Sequence, residues 1–152
     1  MEKHAGKEKK ESPAKKYLKR IQICDDKINA KLAEIDDLYD LATRITPYMR
    51  DNAGASSGGN QDKLGNAVAK IADLKAEANR EIDTLIDLKR EISAKLDRLE
   101  NPDHRKVLRL RYISNYTFEM IAMEMNYSYR GVCYLHGRAL TAFEKIMHEG
   151  EG

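Results

Sequence analysis

The chain is poor in the large aromatic residues that fill thick cores: it contains no tryptophan and only two phenylalanines among 152 residues. This scarcity argues against a thick globular core, whereas an abundance of Ala, Leu, Ile, Lys and Glu favours long helices. The length allows one or at most two small domains. We therefore predict an all-α protein, with a long coiled-coil-like hairpin followed by a smaller C-terminal helical domain.

Cysteine is also rare, since only Cys24 and Cys133 occur and they lie far apart in the sequence. Their spacing is not that of a disulfide framework, and it fits a reducing cytosol. No apolar run approaches the length of a membrane span. The basic N-terminal residues are not followed by an apolar stretch, so we expect no signal peptide. Together these features predict a cytoplasmic protein without membrane contact.

The spacings that active sites and metal sites usually require are missing as well. The four histidines show no metal-ligand spacing, and we interpret His136 as a helix-packing residue rather than a base. The Gly/Ser-rich stretch around residue 55 lacks the Gly-Lys-Ser/Thr ending of a phosphate-binding loop. The acidic clusters fall on predicted helix faces, which is typical of a solvated surface. We therefore expect no enzymatic activity, no metal and no cofactor.

Two segments in the first hundred residues repeat apolar side chains at spacings of three and four, which predicts long amphipathic helices over about 14–45 and 63–99. Between them, residues 46–62 contain a proline and a Gly/Ser/Asn-rich stretch, which predicts a flexible linker. The expected result is an antiparallel hairpin over residues 14–100, preceded by a basic disordered tail at 1–13. Because two helices leave apolar surface exposed, we expect a homodimer through these helices or packing on the C-terminal domain.

Start and stop signals in the last third of the chain define three short helices. The first is predicted over residues 103–113, the second begins after Thr117 and the third begins after Ser128, both good N-cap residues. Asn126 can adopt the left-handed conformation that ends the second helix. This pattern predicts a helix-turn-helix domain over residues 103–148, with the final helix over 128–148.

In such domains the second helix of the pair lies in the major groove of DNA with its N-terminal residues at the base edges. If Val132, Leu135 and Ala139 face inward, the outward face supplies the candidates for base contact: Tyr129, Arg130, Cys133 and Tyr134. Arg130 is the first candidate because its guanidinium fork matches the acceptors of guanine. Candidates for phosphate contact are the basic and hydroxyl side chains around the pair: Arg105, Lys106, Arg109, Arg111, Thr117, Ser128 and Arg138.

The run from Leu108 to Leu140 resembles the DNA-binding region 4 of bacterial sigma factors, and is more closely similar to small phage-encoded regulators of Gram-positive bacteria, including late-operon activators. The shared positions are Leu110, Arg111, Tyr112, Thr117, Ile121, Ala122, Tyr127, Ser128, Val132, Leu135, His136, Ala139 and Leu140. The resemblance implies a transcription regulator of phage or prophage type that binds double-stranded DNA. Region 4 normally accompanies a promoter-melting region, which residues 1–100 lack, so a contact with RNA polymerase stays open.

Two other functions are compatible with the same pattern. A small DNA-recognition subunit of a phage packaging terminase also combines a helix-turn-helix with oligomerising helices, and it would form a ring with a partner ATPase. A coiled-coil adaptor would use its C-terminal helices to bind protein and would show no salt-dependent DNA binding. The basic segment from Lys3 to Arg20 is either a further phosphate contact or a solubilising tail.

Overall fold

The computed structural model describes residues 10–51 and 58–150, and these residues are all-helical, which confirms the predicted fold class. The helices are α1 (Pro13–Leu18), α2 (Arg20–Asp51), α3 (Gly58–Leu96), α4 (Pro102–Leu108), α5 (Phe118–Met125) and α6 (Tyr129–Glu149), with a π-helical turn (Arg109–Ile113) after α4.

The chain divides into two compact units whose boundary differs from the one the sequence suggests. One unit comprises Met1–Gln22 and Leu88–Gly152, and the other comprises Ile23–Asp87. The short helix α1 therefore belongs with the C-terminal helices. It buries Ala14 and Leu18, and the ring of Tyr17 stacks on that of Phe143 with centroids 6.1 Å apart. The local sequence pattern does not predict this packing, because α1 and the C-terminal helices are far apart in the sequence.

The start of α1 lies close to its predicted position. Ser12 is the N-cap, its Oγ accepts a hydrogen bond from Lys15 N at 3.2 Å, and Pro13 occupies the first helical position. A proline fits there because that position has no intrahelical N–H partner. The predicted tail at 1–13 therefore ends one residue too late, and its residues 1–9 lie outside the described residues.

The Ile23–Asp87 unit is an antiparallel pair formed by parts of α2 and α3, as predicted. Its core is Ile35 against Ile71 and Leu74. The ion pairs between the two helices give the direction: Glu34 contacts Lys70 at 3.2 Å, and Lys31 contacts Glu81 at 3.9 Å. As residue numbers fall along α2 they rise along α3, so the helices run in opposite directions.

The predicted linker at 46–62 is wrong at both edges, because α2 continues through Pro47 to Asp51 and α3 already begins at Gly58. A proline inside a helix removes one N–H and clashes with the carbonyl four residues earlier, at a cost of about 3 kcal/mol or more. Here that carbonyl belongs to Thr43, which is exposed to water. Water can therefore bond the freed oxygen and the helix continues. Residues 52–57 lie outside the described residues.

In the C-terminal unit, the first of the three predicted helices ends differently from the expectation. It is α-helical only to Leu108 and continues as a π-helical turn, closed by a hydrogen bond from Ser114 N to Arg109 O at 3.0 Å. The chain then turns at Asn115, whose φ is 59°. An α-helix and a π-helical turn would bury the same apolar side here, so the sequence pattern cannot distinguish one from the other.

The signals around α5 and α6 are confirmed one by one. The Thr117 hydroxyl accepts from Met120 N at 3.2 Å, and the Ser128 hydroxyl accepts from Gly131 N at 3.0 Å. Asn126 lies between the two helices in the left-handed conformation, with φ 58° and ψ 41°. The two helices are thus joined by a turn of only three residues.

Replacing Asn126 by alanine tests this turn. A β-carbon without the asparagine amide makes the left-handed conformation cost about 1–2 kcal/mol, so the free energy of unfolding should fall by about that amount. Urea unfolding followed by circular dichroism measures it. Asn126→Gly is the control. It should change the free energy of unfolding by only a small fraction of the loss expected for alanine, because glycine adopts this conformation freely. Equal losses for both variants would mean that the amide itself, rather than the backbone conformation, stabilises the turn.

Candidate nucleic-acid interface

The orientation of α6 about its axis is set by a fully buried row of side chains. Val132, Ala139 and Phe143 are each 0 % exposed, and Ile121 of α5 is buried to the same extent. Leu135, which the sequence placed in this row, is only partly buried, and His136 takes the buried position instead. The remaining predicted inward positions are confirmed.

The four side chains predicted for base contact all lie on the exposed side of α6. Tyr129 is 52 % and Tyr134 is 69 % exposed, and Arg130 and Cys133 are exposed as well. The ring of Tyr129 meets Phe118 edge-on with centroids 6.2 Å apart, so this tyrosine leans against α5. The Arg138 guanidinium lies 5.6 Å from the centre of the Tyr134 ring. The first three turns of α6 therefore present aromatic and cationic groups together.

No acidic residue occurs on this part of α6: the first after its start is Glu144, in the fifth turn. The N-terminal backbone N–H groups of a helix carry partial positive charge, which favours nearby anions. Neighbouring charge from Cys133, followed by that of Glu119, raises the pKa of Tyr129. A tyrosine hydroxyl with a pKa of about 10 or higher is protonated at neutral pH, so Tyr129 can donate a hydrogen bond.

The two units differ strongly in net charge, although the net charge of the whole chain is only +2. Among the described residues, the unit that contains α6 has sixteen Lys/Arg against nine Asp/Glu, a net charge of +7. The Ile23–Asp87 unit has eight against thirteen, a net charge of −5. The excess of basic residues therefore lies in the same unit as the exposed face of α6.

Three of the arginines predicted to contact phosphate have their guanidinium groups bonded within the protein. Arg105 donates to the carbonyls of Leu99 and Glu100, in the connection between α3 and α4. Arg109 donates to Ser93 Oγ at 3.2 Å and pairs with Asp97.

The third, Arg111, donates to the carbonyl of Tyr116 at 3.0 Å and lies 4.4 Å from the centre of the Phe118 ring. It thereby holds the turn before α5. Because the partners of Arg105 and Arg109 lie on α3 or in the connection that follows it, the sequence pattern of the C-terminal domain does not reveal these contacts. All three arginines therefore have an internal structural role that the sequence interpretation missed.

The remaining predicted phosphate contacts divide into two kinds. Lys106 and Arg138 are exposed cations. Thr117 and Ser128 are exposed, but their hydroxyls accept the capping hydrogen bonds described above. A hydroxyl that accepts one hydrogen bond still has a proton to donate, so capping does not prevent a contact with phosphate.

Gly131, in the first turn of α6, is explained by the turn that precedes it. A β-carbon at this position would lie 3.1 Å from Ser128 Oγ and 3.3 Å from Tyr127 Cδ1, both tighter than ordinary contact. The Tyr127 hydroxyl in turn donates to Asp103 Oδ2 at 3.0 Å, at the start of α4. Glycine therefore lets Tyr127 pack against α6 although it is a poor helix former.

The exposed side of α5 has a different chemistry from that of α6. Met123 is 84 % and Met120 is 45 % exposed, and both lie next to glutamates, Glu119 and Glu124. Acidic side chains repel phosphate and methionines form adaptable contacts with protein. This side of α5 is suited to a protein partner rather than to the DNA backbone.

A buried polar pair lies behind the exposed face. Tyr112 Oη and His136 Nε2 are 2.7 Å apart, and the Phe118 ring contacts the imidazole edge-on with centroids 5.1 Å apart. Burial lowers the pKa of His136 to about 4, with Lys15 and Arg111 adding to the effect, and burial raises the pKa of Tyr112 to about 12. His136 is thus a neutral packing residue, as the sequence interpretation proposed.

Within the described part of the chain, no three or more His, Cys, Asp or Glu side chains are grouped so that they could hold a metal ion. No helix among those residues is both long enough and apolar enough to cross a membrane.

Comparison with known proteins gives one finding. Residues 23–137 match the model of a family described as "Protein of unknown function (DUF722)". No curated protein and no solved structure matches the chain.

The depressed pKa of His136 predicts a pH dependence of stability. Above pH 6.5 the imidazole is neutral in both the folded and the unfolded chain. As the pH falls from 6.5 towards 4, only the unfolded chain takes up the proton, so the free energy of unfolding should drop by roughly 3 kcal/mol across this range. Urea unfolding at several pH values measures the drop. His136→Gln should remove it, His104→Gln should leave it unchanged, and an unaltered profile in His136→Gln would show that another group is responsible.

Proposed function

Since the chain belongs to the DUF722 family of proteins of unknown function, we propose its function from its own residues: it is a sequence-specific, DNA-binding transcription regulator of phage or prophage type. The observation that carries the proposal is the exposed face of α6, where Tyr129, Arg130, Cys133 and Tyr134 follow a three-residue turn without an intervening acid. The phage assignment rests on the resemblance of residues 108–140, and the cytoplasmic location rests on composition.

Geometry supports α6 as the element that enters the major groove. The groove is about 12 Å wide and accepts one helix. The exposed residues lie at the N-terminal end of α6, where a recognition helix contacts base edges. Arg130 is the best candidate for base recognition, because its guanidinium is exposed in the first turn and can pair with guanine through two hydrogen bonds. Tyr129 and Tyr134 flank it on the same side.

Charge supports the proposal independently of the helix geometry. Each phosphate contact made by Lys or Arg releases counterions from DNA, so a basic unit gains affinity that falls with salt. The unit that contains α6 carries +7, and part of this excess comes from α1 and the residues just before it. Lys15 is close enough to lower the pKa of His136 on α6. Residues 10–20 of the basic segment therefore lie in the same unit as the proposed DNA-binding helix, which favours a phosphate contact over a mere tail.

A second candidate, the coiled-coil adaptor, is favoured by one observation. Among the large apolar side chains that the structure describes, Met123 is the most exposed, at 84 %, and with Met120 it forms an apolar surface beside two glutamates. In the adaptor function this surface binds a protein partner and α6 does not contact DNA. In a regulator the same surface is available for a protein such as RNA polymerase, so only the DNA measurement separates the two functions.

Arg130→Ala tests base recognition. Sites selected from a random DNA pool by the wild-type protein should be bound less tightly by this variant, by roughly 1–3 kcal/mol, with relaxed preference at one base pair. Titration with fluorescent duplexes across a salt series measures both effects. Arg90→Ala is the matched control, because it removes one exposed arginine from α3 and leaves α6 intact. Binding without any sequence preference would contradict the sequence-specific regulator, and a wild-type protein that binds no duplex at physiological salt would leave the adaptor.

The two exposed lysines Lys10 and Lys16 test the role of the N-terminal segment. Replacing both by alanine should weaken binding to every duplex equally and should lower the slope of log affinity against log salt by about one or two. Its sequence preference should stay that of the wild type. An unchanged salt slope would show that these lysines do not contact phosphate and that the segment only adds solubility.

A further inference from the structure

The Ile23–Asp87 unit leaves a line of apolar side chains exposed along α3. Val68 and Ile82 are 56 % and 37 % exposed and lie fourteen residues apart, with Lys75 midway between them. Successive residues of an α-helix turn by about 100°, so residues seven apart point within about 20° of each other. The three side chains therefore form one line about 21 Å long on a single side of α3.

A matching line lies on the neighbouring helix. Leu32 and Tyr39 of α2 are also seven residues apart and are 45 % and 46 % exposed. The two lines lie on the same side of the hairpin, because Lys75 Nζ donates to Tyr39 Oη at 2.6 Å and lies 5.1 Å from the centre of its ring. We call this surface the paired-line face; it consists of Leu32, Asp36, Tyr39, Val68, Lys75 and Ile82.

The opposite side of the hairpin is polar at the same height. Glu34 and Lys70 form an ion pair there, 3.2 Å apart. Leu41 lies on that side, because two residues beyond Tyr39 correspond to a turn of about 200°. Leu41 is 43 % exposed, so it offers an apolar side chain of similar exposure away from the paired-line face.

Charge is distributed unequally across the paired-line face. Its α3 edge has Lys75 between two apolar residues. Among the described residues of this unit, the ion pairs are Lys31 with Glu81 and Lys70 with Glu34, and Lys75 belongs to neither. The α2 edge has the exposed Asp36, four residues after Leu32 and therefore on the same side of α2. One edge is basic and the other is acidic.

Both charges lie at nearly the same height along the hairpin. In an antiparallel pair, the contact Glu34–Lys70 places Asp36 level with position 68 of α3, whereas Lys31–Glu81 and Tyr39–Lys75 place it level with positions 76 and 78, so Lys75 lies within this range. A surface with an acid on one edge and a base on the other, at one height, is complementary to a copy of itself turned by 180° about an axis parallel to the helices. Isologous dimers use such self-complementary patches.

We propose that the paired-line face binds a second copy of this chain, with α2 of each copy packed on α3 of the other. A twofold axis parallel to the helices brings Asp36 of each copy against Lys75 of the other, giving two symmetric ion pairs. It also places Leu32 and Tyr39 against Val68 and Ile82 across the interface, and the four helices form a bundle. A twofold axis perpendicular to the helices would instead oppose acid to acid and base to base. The surface is independent of DNA binding.

Sedimentation of the full chain without DNA tests the proposal, with circular dichroism to show that each variant remains helical. The wild type should be a dimer at micromolar concentration. Asp36→Lys and Lys75→Glu should each weaken association roughly tenfold or more, because each places like charges across the interface twice. Ile82→Glu should weaken it by at least about a hundredfold, whereas the matched Leu41→Glu should leave it unchanged.

Mixing the two charge variants gives the decisive result. An equimolar mixture of Asp36→Lys and Lys75→Glu chains should recover dimers of wild-type stability, because each contact between the two different chains again joins opposite charges. Recovery on mixing requires that the two positions meet across chains. A wild type that stays monomeric at about 100 μM, a folded mixture that fails to associate, or equal weakening by Leu41→Glu would each overturn the proposal.

Discussion

The burial of one side of α6 is the constraint on which the candidate interface depends. Contacts with α1, α4 and α5 bury Val132, Ala139 and Phe143 completely, which fixes the rotation of α6 about its axis. Arg130, Cys133 and Tyr134 lie one or two positions from Val132 and therefore point about 100–200° away from the buried side, into water. Tyr129, three positions before Val132, lies at the edge of the buried side and is exposed as well. The surface proposed to recognise DNA is thus defined by the core behind it.

That core also explains why the internal arginines matter. Arg109 bonds Ser93 and Asp97 on the last part of α3, and Arg111 bonds the Tyr116 carbonyl just before α5. These contacts join segments that would otherwise meet only through apolar packing, so they help to hold α5 and α6 in place. A basic residue near a proposed DNA site can therefore serve the site without contacting DNA. Substitution of Arg111 would affect binding through the turn it holds, whereas Arg130 has no such internal contact among those described.

The parts of the fold that the sequence predicted correctly depend on local chemistry. Thr117, Asn126 and Ser128 specify their caps and turn through hydrogen bonds within three residues and a backbone preference, so their positions follow from the sequence alone. The predictions that failed depend on contacts between residues far apart in the sequence, or on access of water to the backbone. Helix α1 joins the C-terminal unit through Leu18, a contact across the length of the chain. Pro47 stays helical because an exposed carbonyl can bond water, which no periodicity reveals.

The candidate site was also predicted only in part. Helical spacing predicted which residues of α6 face outward. It did not predict that three of the arginines form hydrogen bonds within the protein. The same geometry predicted exposed apolar surface on the hairpin, whereas the acidic and basic edges of the paired-line face became evident only when the contact between Tyr39 and Lys75 fixed which sides of α2 and α3 lie together.

The N-terminal turn of α6 lacks stabilising features that the corresponding turns of α4 and α5 have. Among the three C-terminal helices, α4 has Asp103 and α5 has Glu119 in the first turn, whereas α6 has no acid there and has Gly131 instead. An acid at that position contributes about 0.3–1 kcal/mol, and glycine costs up to about 1 kcal/mol against alanine. Helix α6 therefore gives up roughly 1–2 kcal/mol and relies on the Ser128 cap and on buried side chains such as Phe143. A helix optimised for stability alone would carry an acid in this turn, but an acid there would also repel phosphate. Gly131 is explained by the packing of Tyr127, whereas the missing acid is consistent with selection for an anionic partner at this end of α6.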